Sequence, residues 1–439
     1  MDVLSLGILS IIAFVVLIMM GMHIGIAMGL VGFFGIAITK GNFNVAIGAI
    51  ANTPYAVVMS FVLTSLPVYL LMGLFAMEAG ITENAYRVSY NWVGKLRGGL
   101  GLATIVANAF FGACCGSSLA AAMLFSKISL PEMEKAGYEK RFACGIVAAG
   151  GMLSMLIPPS AMIIIIGFLT ETSVARLFIG GIIPGIILAL MYMGVIYIMV
   201  LKNQNLAPIA KINVSWKQRI ISLKEIWSLI IIIIIVFAGI YTGIFTPTEA
   251  GSVGALITLI IALYLKKLNW NKVWLVISDT VQTTCLLFFV LIGATIFSRF
   301  LALSGLRTVI LETILAWGIP PIVTIIMFVL LYLIAGCFID AISIFAITMP
   351  IMFPVAMKLG YDPIWFGIVF LMAAEIGLVS PPFGMNVFAV KAAAPSHVTL
   401  IDVFRGVFPF FLVMIVFLVL LIAFPSIIIT LPNEMFGKR

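Results

Sequence analysis

An all-helical polytopic membrane fold made of two inverted repeats is predicted for this chain by three observations. Hydrophobic residues fill 64% of its 439 positions and charged ones only 9%, against roughly 25% charged in a soluble domain. Two stretches 223 positions apart echo each other without a gap. Pro131, Lys135, Gly137 and Tyr138 lead an apolar run that ends in Pro158-Pro159, and Pro354, Lys358, Gly360 and Tyr361 lead a run of equal length that ends in Pro381-Pro382. Each double proline interrupts a segment apolar enough to span a bilayer, where few free backbone groups are tolerated. Interruptions at corresponding places in two halves point to a solute site at the membrane midplane, where freed carbonyls and amides hold an ion and an anionic solute.

The elements follow from the ~20 apolar residues that a crossing needs. Val3 to Met20 has no basic flank before it and no small-residue cleavage site after it, so it is expected to be a membrane span and not a cleaved signal. Further crossings are expected near 24–39, 55–77, 137–172 (the first broken helix) and 178–201. After a polar linker over 202–225 they recur near 226–245, 248–265, 279–300, 360–395 (the second broken helix) and 406–428. The first repeat is thus 1–201 and the second 226–439. Five crossings in each half, an odd number, invert the second copy. The apolar stretches 99–130 and 320–353 are interrupted near the middle by small or polar residues and read as re-entrant hairpins.

Charge gives an orientation. The linker carries Lys202, Lys211, Lys217, Arg219 and Lys224 against Glu225, which places it in the cytoplasm by the positive-inside rule. Alternation then brings Arg87, Lys95, Arg97, Lys127, Lys135, Lys140, Arg141, Lys266, Lys267, Lys272, Lys391 and Arg405 to the same side, and puts both termini outside. Lys438 and Arg439 run against this layout. The formal charge of +8 is therefore read by position, with membrane lipid and not nucleic acid as the expected anionic surface. Residues 81–97 mix Glu83, Arg87, Lys95 and Arg97 with Tyr86, Tyr90 and Trp92, which suits an amphipathic helix at the interface or a solvated connecting helix. The five cysteines show no CxxC spacing and only His23 and His397 as co-ligands, so no metal site of that kind is expected.

The first hairpin carries Gly112-Ala113-Cys114-Cys115-Gly116-Ser117-Ser118 at its expected tip, offering close backbone approach and two hydroxyl oxygens of the kind hard cations favour. The same small residues also suit helix packing. Leu156-Ile157-Pro158-Pro159-Ser160 adds unwound carbonyls and a new helix N-terminus. The matching second-half segments are Gly336-Cys337-Phe338-Ile339-Asp340 and Glu375 through Asn386. Asp340 falls opposite Ser117 at the 223 offset, and an ionisable residue inside a membrane segment is a site candidate or one half of a structural ion pair. Glu375 is a candidate for pairing with a basic scaffold residue. Asn386 can donate and accept, or pack between helices.

Gly116-Ser117-Ser118, the Gly137-Tyr138 to Ser160 stretch, the Gly360-Tyr361-Asp362-Pro363 turn and Ser380-Pro381-Pro382-Phe383-Gly384-Met385-Asn386 together resemble the large permease subunit of tripartite ATP-independent periplasmic (TRAP) transporters, over nearly the whole chain. The resemblance implies an elevator-type member of the ion-transporter superfamily, with hairpins and broken helices as a mobile domain on a scaffold. It implies sodium as coupling ion, no other cofactor, and an organic acid substrate of the C4-dicarboxylate or sialic acid type. Implied partners are a small four-helix membrane subunit and a soluble periplasmic binding protein, at a bacterial inner membrane. Sodium is then expected at Ser117 and Ser118 with carbonyls from Ser154 to Pro158, and at carbonyls from Gly336 to Asp340 with those from Gly377 through Ser380 to Pro381. The solute is expected at Ser117, Ser118, Ser160, Asp340 and Asn386. The Cys114-Cys115 pair departs from the usual small or hydroxyl residues, so the ligand assignment rests on Ser117 and Ser118. The alternative is a divalent-anion/sodium symporter of the same superfamily working without a binding protein. A hydrolase lacks an HExxH or GxSxG pattern, and a channel does not explain matched broken helices.

Overall fold

The computed structural model describes residues 3–208, 215–316 and 318–437; Lys211, Lys438 and Arg439 of the charge pattern lie outside them. It is all helical among these residues. In chain order α1 (Val3–Met19), α2 (Ile24–Lys40), α3 (Phe43–Ala51), α4 (Thr53–Val58), α5 (Ser65–Glu78) and α6 (Ile81–Val93) precede a first hairpin, α7 (Gly99–Cys115) and α8 (Ser118–Lys135). The first broken helix is α9 (Lys140–Leu156) with α10 (Ala161–Thr170), bent by 44°, and α11 (Val174–Lys202) leads to the linker. Then come α12 (Trp216–Ser222), α13 (Trp227–Tyr241), α14 (Pro247–Tyr264), α15 (Trp270–Leu303) and α16 (Leu306–Ala316). A second hairpin, α17 (Pro321–Gly336) and α18 (Ala341–Lys358), is followed by the second broken helix, α19 (Pro363–Gly377) and α20 (Met385–Ala393). The chain closes with α21 (Leu400–Ala423) and α22 (Ser426–Phe436).

Helix starts recur at the sequence offset. Ile24 and Pro247, Ser118 and Ala341, and Lys140 and Pro363 are each 223 apart. The packing is exchanged between the halves: α2 lies on α15 and α14 on α5, α9 on α21 and α19 on α11, α8 on α20 and α18 on α10. Glycines make the tightest crossings, because lipid gives no hydrophobic drive between helices and close backbone contact must supply the attraction. A Cβ on Gly32 would sit 2.9 Å from the carbonyl carbon of Ile296, and one on Gly254 2.6 Å from Met72 Sδ. The most enclosed elements are the first limbs of the broken helices. Phe142 to Ser154 and Ile364 to Gly377 are buried without interruption, as a helix apolar on all sides must be. Helices α1, α13 and α14 keep exposed apolar faces.

Six helices are long and apolar enough to cross a membrane, or up to eight if each bent pair is one span, among the described residues. The chain is a multi-pass membrane protein. Four expectations are corrected. The crossing at 55–77 is split into α4 and α5, because Pro54 starts a short helix and the hydroxyls of Thr64 and Ser65 turn back onto the carbonyls of Phe61 and Val62. The helix at 81–97 ends at Val93; Ile81, Ala85, Tyr86 and Val88 are buried and it packs on α7, while Glu83, Arg87 and Trp92 are exposed on its other face. The last crossing, set at 406–428, begins at Leu400 and stops at Ala423, with Pro425 two residues on. The second limbs of both hairpins run on to Lys135 and Lys358, beyond 130 and 353.

The basic clusters gather at one end. Arg87 Nη1 meets Glu225 Oε2 at 3.2 Å, and the linker carbonyl of Leu206 accepts the Glu139 amide at the start of α9. Lys140 and Arg141 meet the Asp402 carboxylate at 2.7 and 3.3 Å, and the Thr399 hydroxyl donates to it at 2.6 Å. At the other end of α11, ~43 Å away for 29 residues, Arg176 Nη2 donates to the carbonyls of Phe436 and Gly437.

Candidate functional site

Both hairpin tips lie backbone to backbone on the broken helices. Gly116 adopts φ 61°, and a Cβ there would fall 2.8 Å from both Ser160 Cα and Ala161 N, so only glycine fits between α7 and α8. A Cβ on Gly112 would sit 2.7 Å from Ser154 Cα. In the second half, a Cβ on Gly336 would be 2.7 Å from Gly377 Cα. Each tip therefore rests where its broken helix comes undone. The carbonyl and Cα of Cys114 and Cys115 meet α5 at Gly73, whose Cβ would be 2.7 Å from both the Cys114 oxygen and Cys115 Cα. That close contact suits small side chains at the tip.

The breaks differ in length. The first spans Ile157 to Ser160 and the second Leu378 to Gly384, and each contains a cis Pro-Pro bond. Both leave the last carbonyls of one limb and the first amides of the next without intrahelical partners. The Asn386 amide reaches back to the Leu378 carbonyl at 3.0 Å and closes the second break into a compact turn.

Ser117 and Asp340 have the same local role. Ser117 Oγ accepts the Ala120 amide at 3.3 Å and caps α8; Asp340 accepts the Ser343 amide at 3.1 Å, also takes the Ser343 hydroxyl, and caps α18. Asp340 is half-buried and is in no ion pair among the described residues, so the structural alternative for it is a cap and not a salt bridge. A capping carboxylate keeps lone pairs free for a further ligand.

Ser118 points elsewhere. Fully buried, it donates to Glu375 Oε1 at 3.4 Å across the two halves, so the expected basic partner of Glu375 is replaced by a hydroxyl. Ser154 donates to the Asn108 carbonyl at 3.4 Å and Ser380 to the Ile376 carbonyl at 2.8 Å, which binds both hydroxyls to helix backbone. Ser160 Oγ and Asn386 Oδ1 are fully buried and meet no partner among the described residues, while Asn386 Nδ2 approaches Met152 Sδ at 3.3 Å. Pro158, Gly336, Gly377 and Pro381 stand at the tips or breaks as expected. The structure thus brings Ser118, Ser154, Asn386 and Glu375 onto one surface around residues 150–154 of α9, where a Cβ on Gly151 would be 3.0 Å from the Ser118 carbonyl. Ser117, Ser160 and the second-half tip border it.

Asn108 was not read from the sequence. It is fully buried on α7, its Nδ2 donates to the Thr104 carbonyl at 2.9 Å, and its Oδ1 has no partner among the described residues. An amide inside an apolar membrane segment is the signal that marks it. Buried polar atoms without partners are rare in folded proteins. Asn108, Ser160, Glu375 and Asn386 each have one near the tips and breaks.

A cavity of about 790 Å³ opens at the end of α11 opposite Lys202, between α5, α14 and α15 on one side and α10 and α18 on the other. Ser65, Thr172, Ser173, Thr246, Thr295 and Ser298 give it a hydroxyl lining. None of the expected ligands lines it, so it is separate from the tips.

The sequence matches, over residues 11–427, the family described as tripartite ATP-independent periplasmic transporter, DctM component. It is similar to the C4-dicarboxylate TRAP transporter large permease protein DctM of Pseudomonas aeruginosa, 34% identical over 85% of this chain and 86% of that one. It is also similar to the sialic acid TRAP transporter large permease protein SiaM of Vibrio cholerae, 29% identical over 98% of this chain and 99% of that one. In fold it resembles the Alcanivorax borkumensis YdaH transporter, with a TM-score of 0.57, 14% identity and 87% of each chain covered.

Proposed function

We propose that this chain, which belongs to the DctM component family of TRAP transporters as a large permease, imports an organic acid anion of the C4-dicarboxylate or sialic acid type, driven by sodium and fed by a periplasmic binding protein. The observation that carries the reading is the pair of hairpin tips seated on two helix breaks, with unpartnered buried oxygens beside them. Loosened carbonyls and hydroxyls suit a hard cation, and a helix N-terminus with an amide side chain suits an anionic solute. In this reading Ser117 and Ser118 with carbonyls from Ser154 to Pro158 hold one sodium, and carbonyls from Gly336 to Asp340 with those from Gly377 to Pro381 hold another. Ser160, Asn386 and Asp340, with Ser117 and Ser118, face the solute.

The hairpins and broken helices then move as the mobile body of an elevator against the scaffold pairs α2 with α15 and α5 with α14. The exchanged packing supports one body, because each hairpin touches limbs of both broken helices. The two halves are proposed as inverted repeats at a bacterial inner membrane, with the linker cytoplasmic and the termini periplasmic. A small membrane subunit is proposed on the exposed apolar scaffold.

Reconstitution tests the whole reading. Vesicles holding this chain with its small subunit are expected to take up a labelled C4-dicarboxylate or sialic acid only with binding protein outside and an inward sodium gradient. Uptake that ignores the binding protein would favour the divalent-anion symporter, and uptake that ignores sodium would remove the proposed coupling.

A further inference from the structure

The start of α13 and the end of α14 meet outside the candidate site, and we propose that the surface they form binds the headgroup of an anionic phospholipid. Trp227 and Tyr264 pack edge to face there, with ring centroids 6.4 Å apart. Lys224 stands three residues before Trp227 across a 3-10 turn, in which side chains at that spacing share a face. Lys266 and Lys267 follow Tyr264 closely, and Lys266 adopts φ 54° where the chain leaves α14. All three lysines are exposed, and none is in an ion pair among the described residues. The acids that could neutralise them are engaged elsewhere: Glu225 with Arg87 at 3.2 Å and Glu78 with Lys272 at 3.1 Å.

The apolar side chains beside them point to lipid. Trp216, Ile220, Leu223 and Trp227 recur at helical spacing and are all exposed, so one apolar stripe runs along α12 into α13. Trp216 to Tyr241 is a single apolar stretch of 26 residues. At ~1.5 Å per residue it outreaches a hydrocarbon core of ~30 Å, which leaves its first turns at headgroup depth. Lys217 and Lys224 border the stripe. Arg219 lies over the Trp216 ring at 4.9 Å, and its buried Nε has no partner among the described residues. Aromatic rings at this depth pack on the glycerol and upper chains, while ammonium groups meet the phosphate. A zwitterionic lipid brings a cation of its own, so the surplus of lysine selects the anionic headgroup. A soluble acidic partner does not fit, because the stripe continues into a segment apolar enough to lie in hydrocarbon. The assignment requires that the chain is embedded in a membrane and nothing of its solute or coupling ion.

Native mass spectrometry of the full-length protein, released from nanodiscs that mix phosphatidylglycerol with phosphatidylcholine, reads the site without any transport. The wild-type protein is expected to retain phosphatidylglycerol in preference to phosphatidylcholine. A lysine at a membrane surface is worth about fivefold in affinity for anionic lipid, so the triple variant Lys224→Gln, Lys266→Gln, Lys267→Gln should lose about tenfold or more of that preference. The triple variant Lys224→Arg, Lys266→Arg, Lys267→Arg keeps the charge and should keep the preference, which separates loss of the site from loss of the fold. A third variant, Lys95→Gln, Arg97→Gln, Lys127→Gln, removes as much charge from other basic positions and should retain the lipid as wild type does. Equal retention of both lipids by the wild-type protein would overturn the proposal. So would an equal loss in the two glutamine triples, since basic surface in general would then hold the lipid. A preference that disappears once the small membrane subunit is bound would give this surface to that subunit and overturn the proposal as well. A protein that imports no solute but keeps the lipid preference loses the transport reading alone.

Discussion

Gly336 and Gly377 meet without a side chain between them: a Cβ built on Gly377 would fall 2.5 Å from Gly336 Cα and 3.3 Å from the Tyr332 carbonyl. The contact joins the second hairpin to the second break and leaves no volume for a methyl group on either face. Gly377→Val is expected to cost ~1–3 kcal/mol of local packing and to abolish uptake, while the protein still inserts. Gly194→Ala, in α11 at a position with no described neighbour within 4 Å and ordinary helical backbone, controls for glycine loss in general. Uptake by Gly377→Val at the wild-type rate would show that this seat can open without penalty.

Asp340→Asn separates charge from capping. Asparagine caps a helix about as well as aspartate, so thermal stability should stay close to wild type while sodium-coupled uptake falls at least tenfold. Asp340→Ala should lose the same uptake and ~1 kcal/mol of stability as well. Normal uptake with normal sodium dependence in Asp340→Asn would make Asp340 a cap and nothing more.

Ser117→Ala and Ser118→Ala remove different things. The first deletes the cap of α8, at ~1 kcal/mol, and one proposed sodium oxygen; the second deletes the Ser118 hydroxyl that donates to Glu375. Both are expected to raise the sodium concentration for half-maximal uptake several-fold. An unchanged sodium dependence in both variants would mean the first ion site is misplaced.

Orientation is open to labelling from outside intact cells. A cysteine at Gln204, exposed in the linker, should resist an impermeant thiol reagent, while one at Phe436 should react. The reverse pattern would invert the proposed topology.

The Asp402 cluster ties the start of α21 to α9. Lys140 and Arg141 meet its carboxylate at 2.7 and 3.3 Å, so Asp402→Asn is expected to lower the melting temperature by weakening both ion pairs. An Asp402→Asn protein that melts at the wild-type temperature would show that the cluster adds nothing to stability.

The architecture was legible because its markers are punctuation. Pro158-Pro159, Pro381-Pro382, Gly116 and Gly384 impose backbone geometry whatever surrounds them, and the offset that pairs Ser117 with Asp340 also pairs two helix caps. Long-range contacts leave no such mark. Nothing local tells that Glu375 meets Ser118, that Asn108 lies against the α9 turn of Gly150, or that Thr246, Thr295 and Thr172 share one cavity. The α3–α4 segment was missed because Pro54 lies in a run as apolar as a crossing, and tertiary contacts decide how it breaks. Arg299 supplies them, reaching the Ala49 carbonyl and Thr53 Oγ1.

The bond from Ser118 to Glu375 spans 257 positions, which has a consequence for biosynthesis. At ~5–20 residues per second, Ser118 leaves the ribosome about 13–50 seconds before its partner exists. During that interval the first half resides in the lipid with Asn386 also still unmade and with the α9 surface around Met152 uncovered. The nascent first half thus has polar atoms that no segment yet synthesised can satisfy. A chain interrupted in the linker would be a client for membrane quality control, not a smaller working unit.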